Sequence, residues 1–317
     1  MPLLEVRDLR TYYFTYRGVV KAVDGISLEV EKGKTLGLAG ESGCGKSTAA
    51  YSIIKLVPPP GRIVGGQIVF DGMDLTKMSE GDVRRKIRWK RISMVFQGAM
   101  NALTPVYTIA KQITEVLTYH AGMSRMEALQ RAAELLEMVG LDRTVLRRYP
   151  HELSGGMKQR AFIAMALALN PDLVIADEPT TALDVVVQAQ ILNLLKKLQR
   201  ELGIALILIT HDLAVTAEMS DYVAIMYAGK IAEYGPSELI FREPLHPYSE
   251  GLIMSVPSLR HPRKVKWIPG LPPDLVEPPK GCRFHPRCSK AMDICKEKEP
   301  PMVEVRGRKV ACWLYAR

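Results

Sequence analysis

The nine residues at positions 40–48 read Gly-Glu-Ser-Gly-Cys-Gly-Lys-Ser-Thr and match the pattern Gly-x-x-x-x-Gly-Lys-Ser/Thr in full. The apolar run Thr35–Ala39 before them is typical of a buried strand. Helical spacing follows over Ser47–Val57 and stops at the three prolines of 58–60. A strand, a glycine-rich turn and a helix are the context in which this pattern binds the phosphates of a nucleoside triphosphate. The sequence therefore predicts a phosphate-binding loop at this point of the chain.

Local physical chemistry explains why such a loop binds phosphate. Glycines let successive backbone N–H groups turn inward, and the N-terminus of the following helix adds its positive dipole end. Lys46 is predicted to reach the β- and γ-phosphates, and the hydroxyl of Ser47 to bind Mg²⁺. A glycine-rich turn with a chance lysine is the alternative, which the complete pattern disfavours. The residues predicted to contact the nucleotide from this loop are Gly40, Ser42, Gly43, Cys44, Gly45, Lys46, Ser47 and Thr48.

An acidic pair, Asp177-Glu178, follows the apolar run Leu173–Ala176. Asp177 is then expected at the carboxyl end of a buried strand, where an aspartate beside a phosphate loop holds Mg²⁺ through water. Glu178 is one residue further on and points elsewhere, so its carboxylate is predicted to orient or deprotonate the attacking water. The alternative is an acidic strand end without a catalytic role. The complete phosphate loop favours the catalytic interpretation.

The order of predicted elements indicates an α/β fold with an insertion. Short strands at 3–9, 26–30 and 67–70 are predicted to form a small antiparallel sheet. Helices predicted over Thr108–His120 and Ser124–Val139 form a block, and the second is predicted to open with a capping box of Ser124 and Glu127. Strands alternate with helices on either side of this block, which implies a largely parallel sheet. The predicted division is a nucleotide-binding α/β core with a β subdomain over 1–97 and 171–235, a helical insertion over 98–170, and a proline-rich C-terminal extension over 236–317.

Composition and charge limit the classes of protein to which the chain can belong. A chain of 317 residues with 47% hydrophobic residues can bury a full core. No apolar stretch approaches the ~18–20 residues that a membrane span needs, and the charged N-terminus lacks the apolar segment of a signal peptide. We therefore expect a cytosolic protein whose membrane role comes through partners. The net charge of +9 fits polyphosphate ligands, and the densest basic run, 84–91, is predicted to be a solvated face.

A second glycine motif, Leu-Ser-Gly-Gly-Met at residues 153–157, lies between the phosphate loop and the acidic pair. In this order the motifs make residues 1 to about 235 resemble the ATP-binding subunits of ABC transporters. The resemblance implies an ABC-type nucleotide-binding domain, with a RecA-like core, an antiparallel β subdomain and an inserted helical subdomain. It also implies that two subunits close face to face, so that Ser154, Gly155 and Gly156 clamp the γ-phosphate of the partner's ATP.

Four further residues stand where ABC ATPases carry functional groups. By resemblance, Gln97 is the glutamine that senses Mg²⁺ and links the nucleotide to the helical block. Asp184 would couple the two sites of the dimer, and His211 would contact the γ-phosphate. Tyr13 is predicted to stack on adenine, in competition with the neighbouring aromatic residues Tyr12, Phe14 and Tyr16. The implied Mg²⁺ contacts are thus Ser47, Gln97 and Asp177, and the implied catalytic residues are Lys46, Glu178 and His211.

Three stretches narrow the resemblance to the oligopeptide/dipeptide importer branch of that family, namely 181–192, His246–Ser249 and Gly281–Cys288. The resemblance now covers essentially the whole chain and implies ATP hydrolysis coupled to peptide uptake. It implies a second homologous ATPase subunit (or a homodimer), two transmembrane permease subunits and an extracytoplasmic substrate-binding protein. Relatives of this branch also take oligosaccharides or nickel, so the cargo stays open. Gly98-Ala99 departs from the Asp-Pro that is usual after the glutamine in this branch, near the segment 98–112 that is expected to push on a permease.

Four of the five cysteines crowd into residues 282–317, namely Cys282, Cys288, Cys295 and Cys312. Such crowding in a cytosolic chain favours a metal site over disulfides. Structural zinc sites use pairs two to four residues apart, whereas these intervals are wider, and the ligand spacing of a [4Fe–4S] cluster is more variable. By resemblance to importer subunits with such a segment, a [4Fe–4S] cluster is predicted. Zinc and an unmetallated segment are the alternatives, and His285 is a further candidate ligand.

A soluble cassette that acts on nucleic acid or ribosomes is the competing function. Such proteins usually carry two cassettes in one chain or a long coiled-coil insertion, whereas this sequence contains one phosphate loop and an ordinary helical insertion. No aromatic repeat accompanies the basic run, as it would in many single-strand binders. We therefore predict no nucleic-acid partner. An exporter is disfavoured because exporter cassettes are commonly fused to membrane spans.

Overall fold

The structure is a computed structural model that describes residues 1–98, 102–255 and 267–316. The chain divides into two compact units. The first comprises Met1–Lys77 and Leu208–Arg317, and the second comprises Met78–Ile207. The phosphate loop and the C-terminal extension therefore belong to the same unit. Ala99, part of the unusual dipeptide after Gln97, lies outside the described residues.

The first unit begins with an antiparallel sheet. Its strands are β1 (Leu4–Thr15), β2 (Gly18–Val30), β4 (Gly61–Phe70) and β5 (Met73–Asp74), in the order β2-β1-β4-β5. The central strand β1 pairs Leu4 with Val30 on one side and with Phe70 on the other, and all three side chains are buried. The strands predicted at 3–9, 26–30 and 67–70 are confirmed, and each belongs to a longer strand in the structure.

A second sheet in this unit carries the phosphate loop. Five neighbouring strands occur in the order β11-β12-β10-β9-β3, with bounds β3 (Thr35–Ala39), β9 (Tyr222–Tyr227), β10 (Lys230–Pro236), β11 (Met302–Val305) and β12 (Arg308–Ala311). β3 pairs in parallel with β9, with Leu36 opposite Tyr222. Every residue of β3 is buried, as the apolar run predicted, and the phosphate loop leaves the sheet at its carboxyl end.

Five α-helices of the first unit are α1 (Lys46–Ile53), α7 (Leu213–Met219), α8 (Ser237–Arg242), α9 (Pro247–Met254) and α10 (Asp293–Glu297). α1 follows the phosphate loop as predicted but ends four residues earlier than its periodicity indicated, because Lys55 takes a left-handed backbone with φ of 52°. The prolines led us to expect an extended tail after residue 235, and the structure corrects this. Pro247 occupies the first helical position of α9, where its missing N–H removes no hydrogen bond.

The extension is joined to the second sheet by backbone pairing and by a buried carboxylate. β12 pairs with β10, placing Val310 opposite Glu233. The side chain of Glu233 is fully buried, and its oxygens accept hydrogen bonds from the backbone N–H of Leu245 at 3.0 Å and of His246 at 3.0 Å. Because a buried carboxylate is stable only when its oxygens are satisfied, these bonds fix the start of α9. The extension thus completes the sheet that carries the loop.

The second unit contains the parallel pair β6 (Ile92–Val95) and β7 (Leu173–Asp177), with Ile92 opposite Leu173. Its α-helices are α2 (Glu80–Lys86), α3 (Ile109–Ala121), α4 (Arg125–Met138), α5 (Gly155–Ala166) and α6 (Val185–Leu202). The strand β8 (Ala205–Ile209) begins in this unit and ends in the first. The predicted capping box of α4 is confirmed, with Glu127 N–H donating to Ser124 Oγ at 3.3 Å and Ser124 N–H to the Glu127 carboxylate at 2.9 Å. Within the described ranges, no helix has both the length and the apolar character that crossing a membrane requires.

Candidate functional site

The phosphate loop curves tightly between β3 and α1, and two glycines make the curve sterically feasible. Gly40 and Gly45 have φ of 149° and 106°, values that L side chains rarely adopt. A Cβ on Gly40 would lie 2.1 Å from the carbonyl oxygen of Met226, and one on Gly45 would lie 2.1 Å from that of Ala22. Both contacts are with backbone and cannot be relieved by a rotamer change. Glycine is therefore required at both positions.

The side chain of Lys46 lies inside this curve and is buried. Its Nζ donates to the carbonyl oxygens of Gly40 at 2.7 Å and Glu41 at 2.9 Å, and lies 3.6 Å from Cys44 Sγ. Burial raises the pKa of the Cys44 thiol, so this cysteine packs as a neutral group. The ammonium group is thus held by two carbonyl oxygens of the loop itself.

Of the four aromatic residues near the end of β1, Tyr13 contacts α1 through its hydroxyl group. Its hydroxyl oxygen is 3.4 Å from Thr48 Oγ1. Tyr12 instead donates to Asp24 at 2.6 Å, and the Phe14 ring lies beneath the guanidinium of Arg62. Tyr16 is almost completely exposed. The structure thus places the four candidate aromatic residues in different surroundings.

In the second unit, the acidic pair ends β7 as predicted. Asp177 is the last residue of the strand and is fully buried. Glu178 has a left-handed backbone with φ of 46°, and its Oε2 accepts hydrogen bonds from Gln97 Nε2 at 3.0 Å and Thr181 Oγ1 at 2.9 Å. The structure therefore brings together Gln97 and Glu178, which the sequence assigned to separate roles. Two donors hold the carboxylate that we predicted to act on water.

The Ser-Gly-Gly motif forms the start of α5. Ser154 is the N-cap, and its exposed hydroxyl accepts from Met157 N–H at 3.3 Å. Gly155 and Gly156 are the first helical residues, and a Cβ on Gly156 would lie 2.7 Å from Val187 Cγ1. An exposed helix start with small residues presents backbone N–H groups and the positive dipole end to an anion. This arrangement can bind a phosphate from outside the chain.

Two remaining predicted residues are exposed. Asp184 is the N-cap of α6, where its Oδ1 accepts from Val187 N–H at 3.0 Å. His211 follows β8 and precedes Asp212, which caps α7. The first unit therefore carries the phosphate loop, Tyr13 and His211. The second unit carries Gln97, the Ser154 motif, the acidic pair and Asp184.

The four cysteines of the extension lie in one region, but their side chains are not arranged around a common metal position among the described residues. Cys282 N–H donates to the carbonyl oxygen of Cys295 at 2.8 Å, and Cys295 Sγ accepts from Met292 N–H at 3.5 Å. Cys312 packs in an apolar cluster with Leu245. Burial, with smaller contributions from the other three cysteines, raises the pKa of the Cys282 thiol to about 11.

The predicted metal site is not supported by this geometry. In the described parts of the chain, no three side chains of histidine, cysteine, aspartate or glutamate are arranged to hold a metal ion. The candidate ligand His285 instead has its Nδ1 at 2.9 Å from the carbonyl oxygen of Cys282. The ring is thereby engaged with the backbone of its own turn. Neither zinc nor a [4Fe–4S] cluster on Cys282, Cys288, Cys295 and Cys312 follows from the structure.

A phosphate loop, an acidic strand end and a Ser-Gly-Gly helix start define an ATP-binding cassette. The sequence profile described as ABC transporter matches residues 23–181, and the profile described as the C-terminal region of oligopeptide/dipeptide transporters matches residues 232–295. The chain belongs to the ABC transporter family. The family predicted from the glycine motifs is thereby confirmed.

Comparison with individual known proteins agrees with this family assignment. The chain is 50% identical to the oligopeptide transport ATP-binding protein OppD of Bacillus subtilis, over 98% of this chain and 88% of that protein. It is 46% identical to the dipeptide transport ATP-binding protein DppD of Caldanaerobacter subterraneus subsp. tengcongensis, over 99% of this chain and 97% of that protein. Among solved structures, it resembles the dimeric post-hydrolysis state of the ATP-binding cassette MJ0796 bound to ADP and Pi, with a TM-score of 0.65 and 29% identity over 74% of this chain and 98% of that chain. The likeness confirms the predicted ABC-type nucleotide-binding fold.

Proposed function

We propose that this chain is the ATP-hydrolysing subunit of a membrane importer for oligopeptides or dipeptides. The observation that carries the proposal is a complete phosphate loop in the same unit as an extension that matches the C-terminal region of oligopeptide/dipeptide transporters. The similar OppD and DppD proteins are named for oligopeptide and dipeptide transport. An importer of oligosaccharides or nickel with the same ATPase is the alternative.

ATP binding would begin at the phosphate loop. The inward N–H groups of the loop and the start of α1 would hold the β- and γ-phosphates, with the ammonium of Lys46 beside them. Tyr13 would cover the adenine from the end of β1. Ser47, Asp177 and Gln97 are the proposed Mg²⁺ contacts, directly or through water. When bound, Mg²⁺ supplies positive charge that neutralises the phosphate oxygens during transfer.

Hydrolysis would depend on Glu178. The donors Gln97 and Thr181 hold its carboxylate in one orientation, which suits a group that must accept a proton from water. His211 would contact the γ-phosphate. Ser154 and the N–H groups that follow it would bind the γ-phosphate of ATP held by a second ATPase subunit, and Asp184 would couple the two sites. The dimeric structure of the MJ0796 cassette is a precedent for a dimer of such subunits.

The proposed partners are a second homologous ATPase subunit, two transmembrane permeases and an extracytoplasmic substrate-binding protein. The subunit would sit at the cytoplasmic face of the membrane as a peripheral component. The helical insertion 98–170 would transmit nucleotide-driven closure to a permease, a coupling in which ligand binding shifts an equilibrium between two arrangements. Residues 99–101 of the expected contact segment lie outside the described residues.

The ATPase assignment is tested by Glu178→Gln. We expect ATP binding to persist and hydrolysis to fall by about a hundredfold or more, because the amide cannot accept the proton. Glu137→Gln is the control, since Glu137 is exposed and pairs only with Arg143 among the contacts described for it. Hydrolysis near the wild-type rate in Glu178→Gln would contradict the assignment of the general base.

The cargo is tested with the assembled transporter in proteoliposomes. ATP-driven uptake of labelled dipeptides and longer peptides is expected, and uptake of an oligosaccharide or Ni²⁺ in place of peptides would overturn the peptide assignment. Since ATP hydrolysis is measured in the same vesicles, loss of transport can be separated from loss of ATPase activity. Salt-sensitive binding of the purified chain to DNA or RNA would instead favour the nucleic-acid alternative.

We also propose that the extension acquires a [4Fe–4S] cluster on Cys282, Cys288, Cys295 and Cys312, with a single zinc ion as the alternative. Four cysteines within residues 282–317 and the backbone contact between Cys282 and Cys295 support it, although the thiols would have to reorient. A cluster would cross-link parts of the extension that are up to 30 residues apart along the chain. Anaerobic purification should give broad absorption near ~400 nm with about four irons and four sulfides per chain. Zinc alone, or no metal, would overturn the cluster.

A further inference from the structure

Glu41, the second residue of the phosphate loop, forms hydrogen bonds through its backbone N–H, its side chain and its carbonyl oxygen. Its backbone N–H donates to the hydroxyl of Tyr248 at 2.9 Å. Its carboxylate accepts two hydrogen bonds from the guanidinium of Arg287, at 2.6 and 2.8 Å. Its carbonyl oxygen accepts from Lys46 at 2.9 Å. Two of the three anchors come from the C-terminal extension, more than two hundred residues away along the chain.

The bond between Arg287 and Glu41 is unlike an exposed ion pair. Arg287 is only 8% exposed. Its Nε donates to the carbonyl oxygen of Pro269 at 2.8 Å, and its Nη1 also lies 3.3 Å from the hydroxyl of Tyr227. A two-point guanidinium–carboxylate contact with restricted side chains is stronger and more directional than a surface pair. Arg287 can therefore fix the position of the Glu41 side chain.

Tyr248 is equally restricted. It is fully buried on α9, and its ring packs against Tyr227 with 4.5 Å between centroids and against Phe284 with 5.3 Å. The start of α9 is in turn fixed by the hydrogen bonds that the backbone N–H groups of Leu245 and His246 donate to the Glu233 carboxylate. The hydroxyl that meets Glu41 thus stands on a rigid support.

We propose that Arg287 and Tyr248 are positioning residues for the nucleotide, which hold Glu41 so that the phosphate loop keeps its binding curve. Neither residue is required to touch ATP. Several N–H groups that point into one concavity repel one another electrostatically, so the curved loop has to be held by contacts behind it. A preformed loop binds phosphate more tightly because less ordering accompanies binding. The extension then sets the affinity for ATP, an inference that rests on the proposed ATPase function.

The competing explanation is that these contacts only attach the extension to the sheet. In that case, weakening them would lower stability without changing how the folded protein binds ATP. The measurement must therefore separate the KM for ATP and the dissociation constant of Mg-ATP from kcat and from thermal stability. Conservative variants are needed, because Arg287 also bonds Pro269 and its removal would disturb the fold.

The test uses Arg287→Lys, Glu41→Gln, their double variant and Tyr248→Phe in the full chain with its partners. Arg287→Lys and Glu41→Gln should each raise the KM for ATP and the dissociation constant of Mg-ATP about tenfold, the effect of losing one charge-assisted hydrogen bond, with kcat at saturation within about twofold. Tyr248→Phe loses a neutral hydrogen bond and should raise both constants by a smaller factor. The double variant should bind Mg-ATP no more weakly than the worse of the two single variants, because both changes break the same contact between Arg287 and Glu41. Tyr248→Phe keeps the packing and charge and removes only the hydroxyl.

Arg306→Lys is the matched control, because Arg306 pairs with Glu243 at 2.5 Å in the same extension and both side chains are mostly exposed. Its KM should equal that of the wild type. Three results would each overturn the inference. The first is an unchanged KM in folded variants of Glu41 and Arg287, and the second is a loss of Mg-ATP affinity in the double variant that equals the sum of the two single losses. The third is a fall in kcat alone. A wild-type protein that neither binds nor hydrolyses ATP would instead overturn the proposed function, so the two failures are distinguishable.

Discussion

Gln97 donates a hydrogen bond from its Nε2 to Oε2 of Glu178, across a distance of 3.0 Å. The same oxygen accepts from Thr181 Oγ1 at 2.9 Å. Glu178 reaches this arrangement with a φ of 46°, a backbone conformation that costs a non-glycine residue about 1 kcal/mol or more. Such strain persists only where surrounding contacts require it. The two donors and the strained backbone together specify where this carboxylate points.

Replacing Gln97 by Ala should slow hydrolysis more than it weakens binding. The carboxylate of Glu178 would lose the hydrogen bond from Gln97 and be oriented less firmly, so we expect kcat to fall by about tenfold or more. Steady-state ATP hydrolysis and equilibrium binding of Mg-ATP measure the two effects separately. Gln130→Ala, on the exposed face of α4, is the control of the same residue type. Equal kcat in the Gln97 variant and the control would mean that the hydrogen bond does not serve catalysis.

Gly45→Ala should abolish ATP binding and destabilise the protein. The new Cβ would lie 2.1 Å from the carbonyl oxygen of Ala22, and the backbone would be strained at φ of 106°. We expect a loss of about 2 kcal/mol or more in the free energy of unfolding, since both strain and overpacking act. Chemical denaturation and nucleotide binding are the measurements. Gly81→Ala in α2, where the nearest atom would be 3.8 Å away, should be neutral or stabilising.

Sequence alone predicted the elements whose causes are local. The capping box of α4 needs only Ser124 and Glu127 three residues apart, and the buried strand β3 needs only an uninterrupted apolar run. The phosphate loop follows from the glycine spacing in the same way. For these features, the residues that determine the structure are neighbours along the chain.

The parts that sequence reasoning missed depend on partners far away in the chain. Nothing near Glu41 indicates that Arg287 would bind it, since the two are 246 residues apart. The prolines obscured β12, whose pairing with β10 is decided by the buried Val310 and by Glu233. A run of four residues with two buried positions is too short to predict from periodicity.

Acid should destabilise the extension through His246. Burial lowers the pKa of this histidine from 6.5 to about 4, and a backbone hydrogen bond with Ala311 opposes the shift in part. Its Nδ1 accepts from Tyr248 N–H at 3.0 Å, so the ring must be neutral to cap α9. The carboxylate of Glu233 accepts a hydrogen bond from the backbone N–H of His246, and the Phe284 ring packs beside the imidazole of His246.

The direction of the change in stability with pH follows from the lower pKa of His246 in the folded state. The unfolded chain takes up a proton as pH falls below about 6.5, whereas folded His246 stays neutral down to about 4, so stability is full above 6.5 and is lost across this interval. Between pH 7.5 and pH 5 the loss should be about 2 kcal/mol. It is measured by urea unfolding of the wild type and of His246→Asn, whose side-chain oxygen can still cap the helix but does not titrate. The difference between the two proteins should shrink as pH falls, and His151→Asn, at an exposed position, should follow the wild type. Parallel pH profiles for wild type and His246→Asn would show that this histidine does not carry the acid sensitivity.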